Sequence, residues 1–197
     1  MRSILFRIES DGFGFWTPEE EREERGFNVP RTEWATSAIA KALGLEMHQL
    51  AMYTVNPQYA VNFLKHLGFD QWSQDSADLV GEYYGEPSTV RGYMSFNYQA
   101  LPGKELEFVS YDGHMDFKYS ANGSAFMSHI SSYVDDVDDS VAFIKKQLKM
   151  EPYHRFITSN HSNPRIAGKK CFKEAIYETT AELGFNLKLI QKVLLDG

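Results

Sequence analysis

The chain has 197 residues, enough for one domain or two small coupled units, and its 43% hydrophobic and 14% aromatic content is ample for a packed core. A formal net charge of −7 disfavours a general binder of nucleic acid or anionic membrane, and the lone Cys171 rules out an intrachain disulfide framework and a multi-cysteine zinc site. No apolar run approaches the length of a membrane span, and Met1 to Ser10 lacks the apolar core of a signal peptide, so a cytoplasmic location is expected.

Residues 1–45 read as a partly helical extension that packs on the rest. Ile4 to Ile8 suits a short strand. Thr17-Pro18-Glu19-Glu20 starts a helix, with Thr as N-cap, Pro at the first position and acids in the first turn. Thr32 opens a second helix, with Ala35, Ile39 and Leu43 on one stripe and Gly44 at its end. Residues 46–113 then predict a strand, a helix and further strands. His48 to Thr54 is the first strand, and Asn56-Pro57 opens a helix with Ala60, Phe63, Leu64 and Leu67 inward and Gly68 closing it. Short strands follow near Gln71 to Trp72, Leu79 to Tyr84, Arg91 to Tyr98 and Glu105 to Tyr111, punctuated by Pro87, Pro102 and glycines. A polar linker covers residues 114–126.

Residues 127–197 repeat the order. His129 to Val134 is a strand, and Asp138 to Lys149 a helix with Val141, Ile144 and Leu148 inward. Tyr153 to Thr158 is a strand, Ser159 to Gly168 a polar loop, and strands follow near Lys173 to Thr180 and Phe185 to Lys192. Asp135, Asp136, Asp138 and Asp139 lack the central Gly and terminal Glu of an EF-hand loop, so they read as helix caps.

The recurrence has a period. His48 and Glu107 stand 59 residues apart (107 − 48), as do His129 and Lys188 (188 − 129), and one shift of 81 (129 − 48) relates the two pairs. That shift puts Ala60 on Val141, Phe63 on Ile144, Leu67 on Leu148, Gly103 on Gly184 and Leu106 on Leu187, with no gap. Strand alternation puts Leu106 and Phe108 on one face and Glu105, Glu107 and Val109 on the other; Leu187 and Leu189 likewise oppose Asn186, Lys188 and Ile190. Glu107 and Lys188 therefore share the face away from the helices.

The segments His48-Gln49-Leu50-Ala51-Met52-Tyr53, Phe63 to Phe69 and Leu106-Glu107-Phe108 resemble one module of the vicinal oxygen chelate superfamily, which includes glyoxalase I, methylmalonyl-CoA epimerase, extradiol dioxygenases and bleomycin resistance proteins. His129 to Val137 and Leu183 to Gln191 resemble a second module, so the likeness spans about residues 46–192. It implies an α+β fold, two tandem βαβββ modules pairing into a cupped mixed sheet around a cleft. Carried over by position, the metal ligands would be His48, Glu107 and His129, a donor set suited to iron, zinc, manganese, nickel or cobalt acting as a Lewis acid.

Lys188 departs from that pattern, which expects an acid or amide there. An ammonium cannot ligate and repels a divalent cation. Lys188 can turn aside from a three-ligand site, pair with Glu107 in a metal-free cleft, or act as a general base once burial depresses its pKa. Glu107 and Lys188 are thus the candidate catalytic pair. Glu105 reads as a solvent-facing residue at a strand start, His154 and His161 as exposed-loop residues, and His66 and His114 as surface. Tyr53, Tyr98 and Tyr133 suit core packing or the cleft wall. Two functions follow from the resemblance. One is a glyoxalase-like lyase, isomerase or dioxygenase using a metal; the other is a metal-free binding or sequestering protein. Both expect a small oxygenated ligand, no nucleic acid or membrane, and a monomer or homodimer.

Overall fold

A computed structural model describes residues 6–9, 12–15, 43–113, 115 and 124–195. Contacts divide the chain into two units, Met1–Glu46 and Met47–Gly197. In the first unit, β1 (Phe6–Glu9) and β2 (Gly12–Phe15) form an antiparallel hairpin with Phe6 opposite Phe15. The expected strand at Ile4 to Ile8 overlaps β1. The helix expected from Thr17 lies outside the described residues, as does most of the one from Thr32; at its end Gly44 takes a left-handed φ of 61°. His114 and most of the expected linker also lie outside them.

The second unit contains β3 (Gln49–Thr54), α1 (Pro57–His66), β4 (Trp72–Tyr83), β5 (Glu86–Asn97) and β6 (Glu105–Tyr111). It continues with β7 (Ala125–Tyr133), α2 (Val137–Leu148), β8 (His154–Ser159), β9 (Lys170–Tyr177), the short α3 (Thr180–Leu183) and β10 (Asn186–Leu194). Both βαβββ runs are present. Each supplies four adjacent strands, β6, β5 and β4 beside β3, and β10, β9 and β8 beside β7. The antiparallel β3–β7 pair joins the two sets, as a cupped mixed sheet requires. The sheet then closes on itself, because β4 also pairs with β8 from Asp78↔Ser159 to Tyr83↔His154. The expected cleft is therefore the interior of an eight-stranded barrel.

Local chemistry explains the helices. Asn56 accepts a hydrogen bond from the Tyr59 N–H at 3.0 Å, and Pro57 occupies the first helical turn of α1. Asp136 caps α2 in the same way, accepting from the Asp139 N–H at 2.9 Å, while Lys149 ends it at a left-handed φ of 58°. The acidic run is thus a capping sequence, and Val141 and Ile144 are buried as expected. In α1 the inward stripe differs from expectation. Val61 is its buried residue, so Phe63, carried about 200° further round at 100° per residue, faces solvent at 54% exposure, and Leu67 at 60%.

Tyr53, Leu79, Val109, Tyr111, Phe156 and Ile176 form a buried cluster inside the barrel. Gly81 sits opposite Phe156 on the closing seam. A β-carbon there would lie 2.0 Å from the Arg155 carbonyl oxygen, so the two backbones approach as closely as they do only because residue 81 has no side chain.

Candidate functional site

Four neighbouring strands supply a polar patch to the barrel interior. Their registers place Lys188, Ser131, Gln49 and Glu105 in one row across β10, β7, β3 and β6. The next row is Asn186, His129, Ala51 and Glu107. Residues paired across strands share a face, so all eight project to the same side. Gln49, Glu105, Glu107, Lys188 and, from β9, Glu174 line a cavity of about 440 Å³. Its apolar wall includes Leu79, Met94, Phe96, Phe156 and Phe172. The size is that of a site for a small molecule.

The registers also correct the repeat. The β3–β7 pair runs Gln49↔Ser131, Leu50↔Ile130, Ala51↔His129, so its internal twofold relates residue 49 to 129, a shift of 80 (129 − 49). The caps Asn56 and Asp136 keep that shift (136 − 56). The last strands keep 81, since Gln49 pairs with Glu105 and His129 with Asn186 (186 − 105). One residue is therefore gained between the first and last strands. An ungapped shift is one residue out on the first strand, and such a slip reverses the face of every side chain. The mate of His129 is Gln49, not His48.

His48 lies before β3. Its Nδ1 accepts from the Tyr133 backbone N–H at 3.2 Å, and its ring stands edge-on to that of Tyr133 with centroids 5.3 Å apart. The β3 residue level with Glu107 and His129 is Ala51, three residues and about 10 Å further along. The structure thus brings Glu107 and His129 together and leaves His48 apart. Nε2 of His129 lies 3.1 Å from Oε2 of Glu107, with both side chains buried. The approach is close enough for ionic contact but misaligned for a hydrogen bond, and neither atom has an aligned partner. Ser128 Oγ is 3.0 Å from the other ring nitrogen.

Charge around this pair is set by Lys188, whose Nζ is 2.9 Å from Oε2 of Glu174. Burial pushes the Glu107 carboxyl up, but the Lys188 ammonium and then His129 outweigh it, and Glu107 lies below the usual range. Burial and then Lys188 hold the His129 imidazole down to about 4, against the raising effect of Glu107. Near neutral pH the pair is therefore a carboxylate beside a neutral imidazole. Glu174 is raised, chiefly by burial, with Lys188 opposing. Glu105 is raised by burial and by Glu107. Glu105 also accepts from Gln49 Nε2 at 3.1 Å, and Gln49 Oε1 accepts from Ser131 Oγ at 2.8 Å. Burial first, and the carboxylates second, keep the phenols of Tyr98 and Tyr133 protonated, as donors on the cavity wall.

A divalent metal held by His48, Glu107 and His129 does not fit this arrangement. Two orphaned atoms, one on Glu107 and one on His129, make half a site. The third donor is about a strand's half-length away with its Nδ1 committed to the backbone, and the charge that acts most strongly on Glu107 is a cation, Lys188. Among the described residues, no group of three or more His, Cys, Asp or Glu is placed to hold a metal ion.

Sequence reasoning missed several residues of this cavity. Glu105 lines it instead of facing solvent. Gln49 carried no signal beside the more conspicuous His48. Glu174 sits on a strand with no acidic counterpart that would mark it. His161 is not in an exposed loop: its side chain is 4% exposed and pairs with Asp75 at 2.6 Å. His154 is likewise fully buried, whereas His66 is exposed as expected.

No protein-family model and no curated protein matches this chain. Solved structures similar to it include a variant methylmalonyl-CoA epimerase from Streptomyces coelicolor in complex with 2-nitronate-propionyl-CoA, 17% identical, covering 75% of this chain and 96% of that one with a TM-score of 0.47. A mutant 4-hydroxymandelate synthase from Streptomyces coelicolor is 14% identical over 78% of this chain and 50% of its own, with a TM-score of 0.49. Methylmalonyl-CoA epimerase from Mycobacterium tuberculosis is 12% identical, covering 74% and 86%, with a TM-score of 0.42. At these identities the function must be read from the site.

Proposed function

We propose that this protein binds a small oxygenated molecule inside the barrel without a resident metal, as a binding or sequestering protein. The observation that carries this reading is the Lys188 ammonium, buried in the cavity, paired with Glu174 and acting electrostatically on Glu107 and His129. It supplies, as a fixed side chain, the positive charge that a chelated metal would bring. Around it stand acceptors on Glu105, Glu107 and Glu174 and donors on Tyr98 and Tyr133, against an apolar wall. That pattern suits a ligand carrying several hydroxyl groups and an apolar body. Among the described residues lining the cavity, Asp75, Glu105, Glu107 and Glu174 outnumber Lys170, Lys188 and Lys192, of which Lys188 is the buried one, so an anionic ligand is disfavoured.

The test is thermal-shift screening of the full chain against polyols, hydroxyketones and hydroxy acids, followed by calorimetry. A neutral polyhydroxylated compound should raise the Tm, and its affinity should fall at least about tenfold in Glu107→Gln, the loss of one charge-assisted hydrogen bond. Binding by carboxylate ligands alone, or ligand binding that requires added divalent metal, would contradict the proposal.

A further inference from the structure

The cavity holds a second constellation, on β4, β8 and the loop after β8. Nδ1 of His161 is 2.6 Å from Oδ2 of Asp75, and Nε2 of His161 is 3.0 Å from Oγ1 of Thr158. All three residues line the cavity. Thr158 is 3% exposed and the Asp75 and His161 side chains no more than 4%. Asp75 Oδ1 also accepts from the Asn163 N–H at 2.9 Å and from Ser162 Oγ at 3.2 Å, which fixes the loop that carries His161. Thr158 Oγ1 accepts from the Phe172 N–H at 2.9 Å.

With the imidazole neutral, as a general base must be, these contacts allow one proton order. The carboxylate can only accept, so Nδ1 of His161 carries the proton that points to Asp75. Nε2 is then an acceptor, and the Thr158 hydroxyl donates to it; the alternative acceptor, the Phe172 carbonyl, is farther at 3.5 Å. One lone pair of Oγ1 is used by Phe172, and one remains. Carboxylate, imidazole and hydroxyl in this order constitute an activated nucleophile, recognised by geometry and not by sequence order.

We infer that Thr158 is a nucleophile for small activated acyl compounds, with His161 as its general base and Asp75 as the positioning residue. Oγ1 of Thr158 forms a bond to the carbonyl carbon while its proton passes to His161 Nε2. The bond from that carbon to the leaving oxygen breaks, and the leaving alcohol takes the proton from Nε2. Water, giving a proton to Nε2, then attacks the acyl carbon, the bond to Oγ1 breaks, and the carboxylic acid departs as Thr158 regains its proton. This activity shares the cavity but does not depend on the binding reading above.

The experiment is p-nitrophenyl acetate added to the full chain, with release of p-nitrophenol followed by absorbance and the adduct located by peptide mass spectrometry. An acetyl group on Thr158 is expected. It should vanish in Thr158→Val and persist in Thr158→Ser, with folding of both checked by circular dichroism. His161→Gln should slow its formation by about 100-fold or more. Asp75→Asn should lower the acylation rate constant and leave the apparent KM for the ester unchanged, because the imidazole loses the acceptor that holds its proton on Nδ1; a merely structural role would move both. Acetylation confined to lysines or to His161, or a Thr158 adduct whose rate is the same in His161→Gln, would overturn the inference.

Discussion

Lys188→Met removes the cation from the barrel and keeps the length of its side chain. The Nζ of Lys188 stands 2.9 Å from Glu174, and the two side chains are 7% and 9% exposed. At that separation, and at the effective dielectric of about 20 that suits protein sites, their attraction is about 6 kcal/mol, most of which offsets the cost of burying both charges. The net result of removing one partner is set by the carboxylate left behind, and is about 3–5 kcal/mol of destabilisation. Glu174 would carry most of it, since burial already raises its pKa and Lys188 is the main force holding it down. Glu107 would lose its chief counter-charge too. In the variant both carboxyls should rise and take up protons in the folded state. The folded protein then binds more protons than the unfolded one above about pH 4.5, so stability should increase as the pH falls from 7 towards 5. Urea denaturation followed by circular dichroism at several pH values measures this directly. The double variant Lys188→Met with Glu174→Gln should recover at least about 2 kcal/mol of the loss, because the orphaned charge is gone. A Lys188→Met loss below about 1 kcal/mol, with no dependence on pH, would refute the account of a buried charge cluster.

Three further outcomes follow from other parts of the molecule. Gly81→Ala should cost about 2 kcal/mol or more, and should speed hydrogen exchange at the β4–β8 amides over that at β3–β7, since its β-carbon would meet the Arg155 carbonyl oxygen on the closing seam. The His129 imidazole should titrate near 4 by NMR; its folded pKa lies below its unfolded value of about 6.5, so its contribution of about 3 kcal/mol is complete above pH 6.5 and is lost as the pH falls towards 4. The fall in stability across that window should flatten in His129→Gln, measured by the same urea titrations, and an unchanged slope would show that the imidazole does not sense its burial. Asn56→Ala, which deletes the α1 cap, should cost about 1 kcal/mol in denaturation midpoints.

The class of fold was legible because it rests on periodicities that survive poor alignment. Alternation in Glu105 to Ser110 and Asn186 to Gln191 placed Glu107 and Lys188 on the cavity face, where the structure has them. The same logic failed at His48, because a period of two makes a single-residue error total, and one inserted residue between first and last strands is invisible to an ungapped comparison. Phe63 shows the helical version of the problem: the stripe Ala60, Phe63, Leu64 has the right spacing, but only packing against the sheet chooses its phase, and Val61 won. Barrel closure was not readable, since it depends on β4 and β8 meeting across 71 residues or more (154 − 83). The Asp75–His161 contact, separated by 86 residues, and the Lys188–Glu174 pair arise from that closure and from β9–β10 pairing, not from any local motif.

On the proposed function a fixed ammonium, not a metal ion, provides the positive charge in this barrel. The decisive measurement is the transition-metal content of the full chain, purified without chelators and read by mass spectrometry. Far less than one equivalent of any divalent transition metal is expected, with Tm unchanged by chelator. One equivalent per chain, lost on His129→Ala, would contradict it.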